Sequence, residues 1–467
     1  MIGEMKDGIL TGLGRAGRRL TGGFEPTLRL GVTGLSRAGK TVFITSLVAN
    51  LLERGRMPGM RSVTDGAIKA VWLQPQPSDT LPRFDYETNL ETMTGPAPDW
   101  PDSTRAVSEL RLSFRVEPGG LLAGVRGPKT LHLDIVDYPG EWLLDLSLLE
   151  KEFDDWSADA LERASRRSEA TAFREALEGA DPEAPFDIRQ ATALAEGWTQ
   201  YLHAAKAAGY SDCSPGRFLL PGPMEGSPAL TFAPLPPGEA PKGSLRAEFR
   251  RRYEAYKREI VRPFFRDHFA RIDRQIVLVD ALGAIHAGPQ AVEDLRRAMA
   301  DVLGAFRPGR NAFLTEILRG KRVEKILFAA TKADHLHHTQ HGRLTRIMEA
   351  LVTDAKARAD YAGAQTAAIA MASLRATTED QIEVNGEMAN VVRGILRDGR
   401  RAAFSPGELP EDPRQLLAQG RQGQEDWLGG DYEVMDILPQ PLTLAPGEGP
   451  PHIRLDRAAE FLIGDKL

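Results

Sequence analysis

One stretch, residues 28–47, constrains the fold of this chain more than any other. It contains the pattern Gly34-x-x-x-x-Gly39-Lys40-Thr41. A chain that curls around two or three phosphates needs residues that tolerate unusual backbone angles and let amide N–H groups point inward, and the two glycines supply that freedom. Lys40 can reach the β- and γ-phosphates, and the Thr41 hydroxyl can ligate Mg²⁺. The pattern predicts a phosphate-binding loop, completed by Ser36, Arg37, Ala38 and Val42.

The residues around this loop predict the rest of the architecture. Apolar side chains alternate at Leu28, Leu30 and Val32, as in a strand, and residues 42–52 form an apolar helical pattern whose N-terminal dipole would face the anion. Later apolar runs at 275–282, 323–330 and 367–374 are typical of buried strands in a parallel sheet. We therefore predict an α/β fold of the P-loop NTPase type, GTPase-like, with a mostly parallel sheet flanked by helices and a large helical insertion.

The length of 467 residues predicts more than one structural unit. Helical and charged patterns fill most of residues 141–271, which we interpret as the insertion. The predicted division is an N-terminal segment 1–26, a nucleotide-binding domain 27–140 plus 272–400, the insertion 141–271, and a C-terminal extension 401–467 that packs on the main domain. Prolines between 75 and 101 predict a long loop there, with no central strand or long helix.

Composition excludes several classes of protein. The net charge of −6, with 27% charged residues, gives no general basic field, so we expect no nucleic-acid partner. A single cysteine, Cys213, excludes an intrachain disulfide and fits a reducing compartment. No apolar run reaches the roughly 18 residues of a membrane span, which predicts a cytoplasmic protein. Basic residues are interspersed among apolar ones within 1–20, so this segment is either an amphipathic helix peripheral to a membrane surface or a frayed or docked terminal helix.

Two more segments provide candidate metal ligands. The proline-rich loop ends at Ser103 and Thr104, and one of these hydroxyls, Thr104 by preference, could approach Mg²⁺ and the γ-phosphate. A strand pattern then leads into Asp137-x-x-Gly140, where the carboxylate can hold Mg²⁺ through water and the Gly140 amide can sense the γ-phosphate. The predicted cofactor is Mg²⁺, held by Thr41, Thr104 and Asp137.

A segment near the end of a later strand predicts the base that is bound. In Thr331-Lys332-Ala333-Asp334, the Asp334 carboxylate can accept hydrogen bonds from guanine N1–H and the 2-amino group, and the Lys332 stem can cover the ring. His335 follows in the same segment. Ala372 and Ser373, at the end of the last strand run, could present backbone amides to guanine O6. The expected ligand is GTP or GDP, and a plain strand-end turn is the alternative.

Histidines crowd the same region. His335, His337, His338 and His341 follow Asp334, and His337 and His341 are one helical turn apart, as in many metal sites. A helix that begins with exposed histidines is the interpretation we prefer.

The order of these motifs resembles that of translation-factor-type GTPases over residues 27–141 and 272–395. Longer segments resemble the YcjX family across nearly the whole chain: Gly34-Leu-Ser-Arg-Ala-Gly-Lys-Thr41, Trp100-Pro-Asp-Ser-Thr104, Asp137-Tyr-Pro-Gly-Glu-Trp-Leu-Leu-Asp145, Thr331-Lys-Ala-Asp-His335 and Pro451-His-Ile-Arg-Leu-Asp456. The resemblance implies a bacterial stress-associated P-loop nucleotidase, described as an ATPase or a GTPase, with a possible inner-membrane protein partner.

Two residues depart from the general GTPase pattern. Thr331 stands where Asn is commoner, and Glu141 follows Gly140 where Ras-like enzymes carry a water-orienting glutamine. A carboxylate there would repel the γ-phosphate unless it is turned away or bridged by metal. The leading hypothesis is a Mg²⁺-dependent GTPase switch, with Lys40, Thr104, Asp137, Gly140 and Glu141 as catalytic residues. An ATPase of the same fold and a nucleotide-binding module with little turnover are the alternatives.

Overall fold

A computed structural model of the chain describes residues 25–34, 38–104, 106–117, 127–304, 323–361, 363–384, 386–405, 407–422 and 435–467. Ser36 and Arg37 of the phosphate loop, and the basic segment at the N-terminus, lie outside these residues. Within the described ranges, no helix combines the length and the apolar character that crossing a membrane requires.

The main sheet confirms the predicted α/β class. In the described part of the chain it has seven strands in the order β2-β3-β4-β1-β5-β6-β7. The strands are β1 (Thr27–Gly34), β2 (Ile68–Gln74), β3 (Ser108–Val116), β4 (Lys129–Asp137), β5 (Arg274–Val279), β6 (Lys325–Ala330) and β7 (Gln365–Ala370). The five strands from β4 to β7 in that order run parallel, and β3 and β2 add antiparallel pairs at one edge.

Helices cover both faces of this sheet, and a long run of them separates β4 from β5. The first are α1 (Lys40–Glu53), α2 (Arg61–Thr64) and α3 (Tyr86–Thr94). Between β4 and β5 lie α4 (Glu141–Leu144), α5 (Phe153–Ser165), α6 (Thr171–Glu178), α7 (Ile188–Ala207), α8 (Gly216–Leu219), α9 (Leu245–Tyr256) and α10 (Arg262–Asp267). The later helices are α11 (Ala281–His286), α12 (Pro289–Gly304), α13 (His341–Leu351), α14 (Thr353–Tyr361), α15 (Pro413–Gln422) and α16 (Leu455–Ile463).

Alternation along the strands places a separate core on each face of the sheet. Ile276 and Leu278 of β5 pack in the core that α1 and α16 close. Val277 and Val279, which point to the opposite face, pack in a core that continues into the aromatic interior of the insertion around Trp156. The insertion is therefore built directly onto one face of the sheet that carries the phosphate loop.

The proline-rich segment differs from its prediction as a long loop, because it contains α3. This helix fits between Pro82 and Pro96, so neither ring interrupts its hydrogen bonds. Its N-terminus is capped by the Asp85 side chain, which accepts a hydrogen bond from the Thr88 amide. The prolines bound a helix here instead of excluding one.

The C-terminal part of the chain forms a second sheet. Over the ranges given above it has four antiparallel strands, with β9 (Glu387–Leu396) paired to β8 (Thr378–Val384), β10 (Arg401–Phe404) and β11 (Ile437–Leu438). The predicted domain boundary at residue 400 falls between the paired strands β9 and β10. Farther on, α16 buries Leu455, Ala458 and Leu462 in the core of the main sheet.

Candidate functional site

The phosphate loop joins the carboxyl end of β1 to the N-terminus of α1, as its pattern predicts. A Cβ on Gly34 would lie 2.9 Å from both the Cβ and the carbonyl oxygen of Leu278, so only glycine fits. Gly39 has φ of 77°, in the left-handed region that favours glycine. Lys40 Nζ donates a hydrogen bond of 3.2 Å to the Gly34 carbonyl oxygen, which places the ammonium over the loop. Ala38 is buried beneath it, and Val42 continues into α1.

The three predicted magnesium ligands lie together beside this loop. The Thr104 hydroxyl donates a hydrogen bond of 2.8 Å to Asp137 Oδ2. The Thr41 and Thr104 hydroxyl oxygens are 3.5 Å apart, and Thr41 also donates to the Asp102 carbonyl oxygen. The exposed neighbour Ser103 is not part of this group, so Thr104 is the better of the two candidates.

Asp137 carries the clearest sign of a ligand site. Its carboxylate is 2% exposed, and within the described residues its Oδ1 atom meets no hydrogen-bond donor. Burial raises the pKa of Asp137 to about 6, against the opposing effects of the Lys40 cation and the Thr104 hydrogen bond. A buried carboxylate oxygen without a partner is costly unless a ligand completes its coordination. Two hydroxyls and one carboxylate are oxygen donors that suit Mg²⁺, so the residues present fit this ion.

A cavity of about 210 Å³ opens beside these ligands. Its lining includes Thr41, Thr104 and Asp137, together with Asp85 and Asn89 from the start of α3. The segment that carries α3 therefore closes one side of the site. We name the group formed by Gly34, Lys40, Thr41, Thr104, Asp137 and Gly140 the phosphate end.

Glu141, the residue in the position of the Ras-like glutamine, is held by the insertion. Its Oε1 accepts a hydrogen bond of 2.7 Å from Lys206 Nζ, near the end of α7. Burial favours the neutral carboxyl, but Lys40 and Lys206 outweigh that effect and keep the pKa of Glu141 below its ordinary value. The side chain is therefore an ionised and compensated carboxylate.

The rest of the segment after Gly140 is anchored to the insertion as well. Asp145 accepts hydrogen bonds of 2.6 Å from the Tyr256 hydroxyl and 2.7 Å from the Gly216 amide. The Arg217 guanidinium lies 3.2 Å from the centre of a Trp142 ring. A Cβ on Gly216 would come within 2.0 Å of the Glu141 carbonyl oxygen, so the two backbones touch.

Sequence reasoning missed these partners from the insertion. Lys206, Gly216 and Tyr256 are 65, 71 and 111 residues from their partners, and no local pattern marks them. One feature of the sequence could have indicated them. Asp145 lies within the mostly apolar run 142–149, and a carboxylate buried there needs a hydrogen-bond donor from another part of the chain.

We name residues 331–335 with Ala372 and Ser373 the base end. Asp334 is 4% exposed, and its Oδ2 accepts a hydrogen bond of 2.9 Å from the Ala376 amide. That bond orients the carboxylate but leaves acceptor capacity on both oxygens. Beside it, burial lowers the pKa of His335 and favours the neutral ring.

Thr331 and Lys332 are bound within the same edge of the sheet. The Thr331 hydroxyl donates to the Val279 carbonyl oxygen at 3.3 Å. Lys332 has φ of 59°, and its ammonium pairs with Asp280 at the end of β5. The ion pair involves only the ammonium group. The alkyl stem of Lys332 could therefore still cover a base.

The proposed role of Ala372 needs correction. Its amide donates a hydrogen bond of 3.1 Å to the Ile453 carbonyl oxygen, in a β-bridge with the segment before α16. It could reach guanine O6 only by breaking that bond. Ser373, which is buried beside it, remains the candidate for the amide contact.

The expectation of exposed histidines is also wrong in part. His335, His337 and His341 are buried, whereas His338 is exposed. His341 Nε2 lies 3.2 Å from the Leu336 carbonyl oxygen, so His341 is not joined to His337. The residue that lies beside His337 and His338 is instead Glu379 of β8.

Comparisons with known proteins identify the family of the chain. The model of a family described as "YcjX-like family, DUF463" matches residues 28–467. A protein of Escherichia coli (strain K12) named "Ras-like GTPase YcjX" is 39% identical over 461 residues, which are 95% of this chain and 97% of its own length. A protein of Shewanella oneidensis with the same name is 32% identical over 468 residues, covering 94% of each chain. The aligned parts of both relatives therefore include the insertion.

Proposed function

The chain belongs to the YcjX-like family, and we propose that it is a Mg²⁺-dependent switch that binds and hydrolyses GTP. One observation carries the proposal: Thr41, Thr104 and Asp137 converge beside the phosphate loop, and a buried Asp137 oxygen accepts no hydrogen bond from the described residues. These residues would hold Mg²⁺, as hydroxyl and carboxylate oxygens do in P-loop proteins.

Each residue of the phosphate end has a separate task in this account. The loop amides and Lys40 bind the phosphates, and Lys40 would exchange its bond to the Gly34 carbonyl oxygen for phosphate oxygens. Thr41 and Thr104 would offer hydroxyl oxygens to the metal, directly or through water. When bound, Mg²⁺ supplies positive charge that offsets the charge developing on the transferred phosphoryl group.

Glu141 would orient the attacking water in place of glutamine. An ionised carboxylate can accept a hydrogen bond from water, but its charge would also repel the γ-phosphate. The Lys206 ammonium, 2.7 Å away, offsets that charge. We therefore assign Lys206 as a positioning residue that the insertion supplies to the site.

The same contacts give a route for the switch. Binding of the γ-phosphate by the Gly140 amide would pull on α4, which begins at the next residue. Glu141 and Trp142 of α4 contact α7 and α8, and Asp145, the next residue after α4, contacts α9, so a shift of α4 would move these helices of the insertion. Nucleotide state would thus be communicated to the insertion.

An ATPase of the same fold is the second candidate. It is favoured by the base end, where the Ala372 amide and one Asp334 oxygen already have partners within the chain. The purified protein should be titrated with fluorescent GTP, GDP and ATP in the presence of Mg²⁺, and phosphate release should then be measured with GTP and ATP. Tight GTP binding with GTP-dependent release supports the proposal. Tight ATP binding without GTP binding would replace it with the ATPase.

Links to bacterial stress and to an inner-membrane partner are proposed from the family resemblance alone. The basic residues in segment 1–26 suggest a direct experiment on the membrane part. Sedimentation with anionic vesicles should recover the full chain, and charge reversal at Arg15, Arg18 and Arg19 should abolish recovery. Equal recovery of both proteins would count against the segment.

A further inference from the structure

We propose that His337, His338 and Glu379 form a second metal site, for a divalent ion of the zinc type, beside the base end. Their candidate ligand atoms all lie within 4.8 Å of one another. The two imidazoles come from the segment that follows the 3₁₀ turn carrying Asp334, and the carboxylate comes from β8 of the second sheet. Two histidines and one glutamate are a donor set that Zn²⁺ uses in proteins, with a fourth position left for water.

The distances suit an ion at the centre of these groups. Tetrahedral Zn²⁺ with bonds of about 2.0–2.1 Å sets its donor atoms roughly 3.3 Å apart. Glu379 Oε2 lies 2.6 Å from His338 Nδ1 and 3.8 Å from His337 Nε2, values on either side of that separation. The two imidazole centres are 4.3 Å apart. Small rotations of the side chains would therefore complete the site.

Neighbouring groups already orient the ligands. His337 Nδ1 lies 3.0 Å from the Thr339 hydroxyl, which fixes the ring with Nε2 toward Glu379. The other carboxylate oxygen, Oε1, accepts a hydrogen bond of 3.1 Å from the His338 amide and lies 3.8 Å from Arg375. Outer contacts of this kind are typical of metal sites, because they fix tautomer and ring direction.

The position of the site gives it a function, which rests on the proposed binding of guanine at Asp334. Asp334 contacts the start of the second sheet twice, through the Ala376 amide and the Thr377 hydroxyl. A metal bound by His337, His338 and Glu379 would link the segment that follows Asp334 to β8, in addition to these two contacts. It would hold the Asp334 carboxylate in its orientation, so metal binding should tighten the binding of GDP.

Metal binding can be tested apart from nucleotide. The nucleotide-free full chain, with excess Mg²⁺ to occupy the phosphate end, should be titrated with Co²⁺ and then with Zn²⁺ in competition. We expect one equivalent of Co²⁺ with the visible absorption of a low-coordinate ion, displaced by Zn²⁺. His338→Ala and Glu379→Gln should each lower Zn²⁺ affinity at least about tenfold. His203→Ala, at an exposed histidine of α7, is the matched control and should leave Zn²⁺ affinity unchanged.

The results separate the two parts of the proposal. Absence of the cobalt spectrum, or unchanged affinity in both variants, would overturn the metal site. His338 is exposed, so its removal should leave the fold intact, as circular dichroism would verify. The GDP dissociation constant should fall severalfold with Zn²⁺ in the natural protein and stay constant in His338→Ala. If Zn²⁺ binds but the GDP dissociation constant does not change, the proposed effect of the metal on GDP binding is wrong. If GDP does not bind at all, the proposed function is wrong.

Discussion

The phosphate end and the base end differ in how far their polar groups are already satisfied within the chain. At the phosphate end, Asp137 has a buried oxygen that accepts no hydrogen bond from the described residues, and two hydroxyls lie beside it. At the base end, Asp334 and the Ala372 amide each bond to another part of the chain. The phosphate end thus presents oxygen atoms to a ligand, whereas these two groups of the base end are held by the fold. Phosphate affinity should depend on individual charges, and base selectivity on the orientation of one carboxylate.

The largest effect should come from Lys40→Ala. The substitution removes a charge aimed at the phosphates, and charged hydrogen bonds of this kind contribute about 1.5–3 kcal/mol each, so GTP affinity should fall roughly a hundredfold. The fold should survive, because Lys40 donates to a single loop carbonyl in this structure. Fluorescent-nucleotide titration and circular dichroism measure the two quantities. Lys69→Ala, on the outer strand β2, is the control. Equal losses of GTP affinity in both variants would show that the loop is not the nucleotide-binding site.

Lys206→Ala should have the next largest effect, on GTP in particular. It removes one of the two cations that offset the Glu141 charge and leaves only Lys40, which also has to bind the phosphates, so the ratio of GTP to GDP affinity should fall about tenfold. Lys206→Arg should retain most of the ratio. In the double variant Lys206→Ala with Glu141→Gln, both charges are removed, so GTP affinity should return toward that of the natural protein. A single variant that loses GTP and GDP equally would show that Lys206 supports only the fold.

A smaller effect is expected from Thr104→Ala. Its hydroxyl already lies beside Asp137 and would contribute to the metal site when GTP is bound, so the Mg²⁺-dependent preference for GTP over GDP should fall about fivefold. Thr104→Ser keeps the hydroxyl and should behave like the natural protein. Titrations of both nucleotides with and without Mg²⁺ provide the measurement. Equal losses for GTP and GDP would refute this role.

The sequence predicted residues that stand in local motifs better than contacts between distant parts of the chain. Gly39, Thr41 and Asp137 were found because backbone angle, hydroxyl and carboxylate each leave a local pattern at a strand end. Contacts across long separations left none, and so Lys206 and the Ala372 bond to Ile453 were missed. The second sheet escaped prediction for a related reason. Its strands pair across the predicted boundary at residue 400, with β9 on one side and β10 on the other.

The most direct measurement of guanine recognition is the base preference of Asp334→Asn. The substituted amide places a donor where guanine needs an acceptor, whereas xanthine offers a carbonyl that this donor can bond. The account predicts a loss of GTP affinity of at least about tenfold, a relative gain for xanthosine triphosphate, and almost no change for ATP. If the natural protein binds ATP well and the variant leaves the affinity of every nucleotide unchanged, Asp334 does not read the base and the GTPase proposal is wrong.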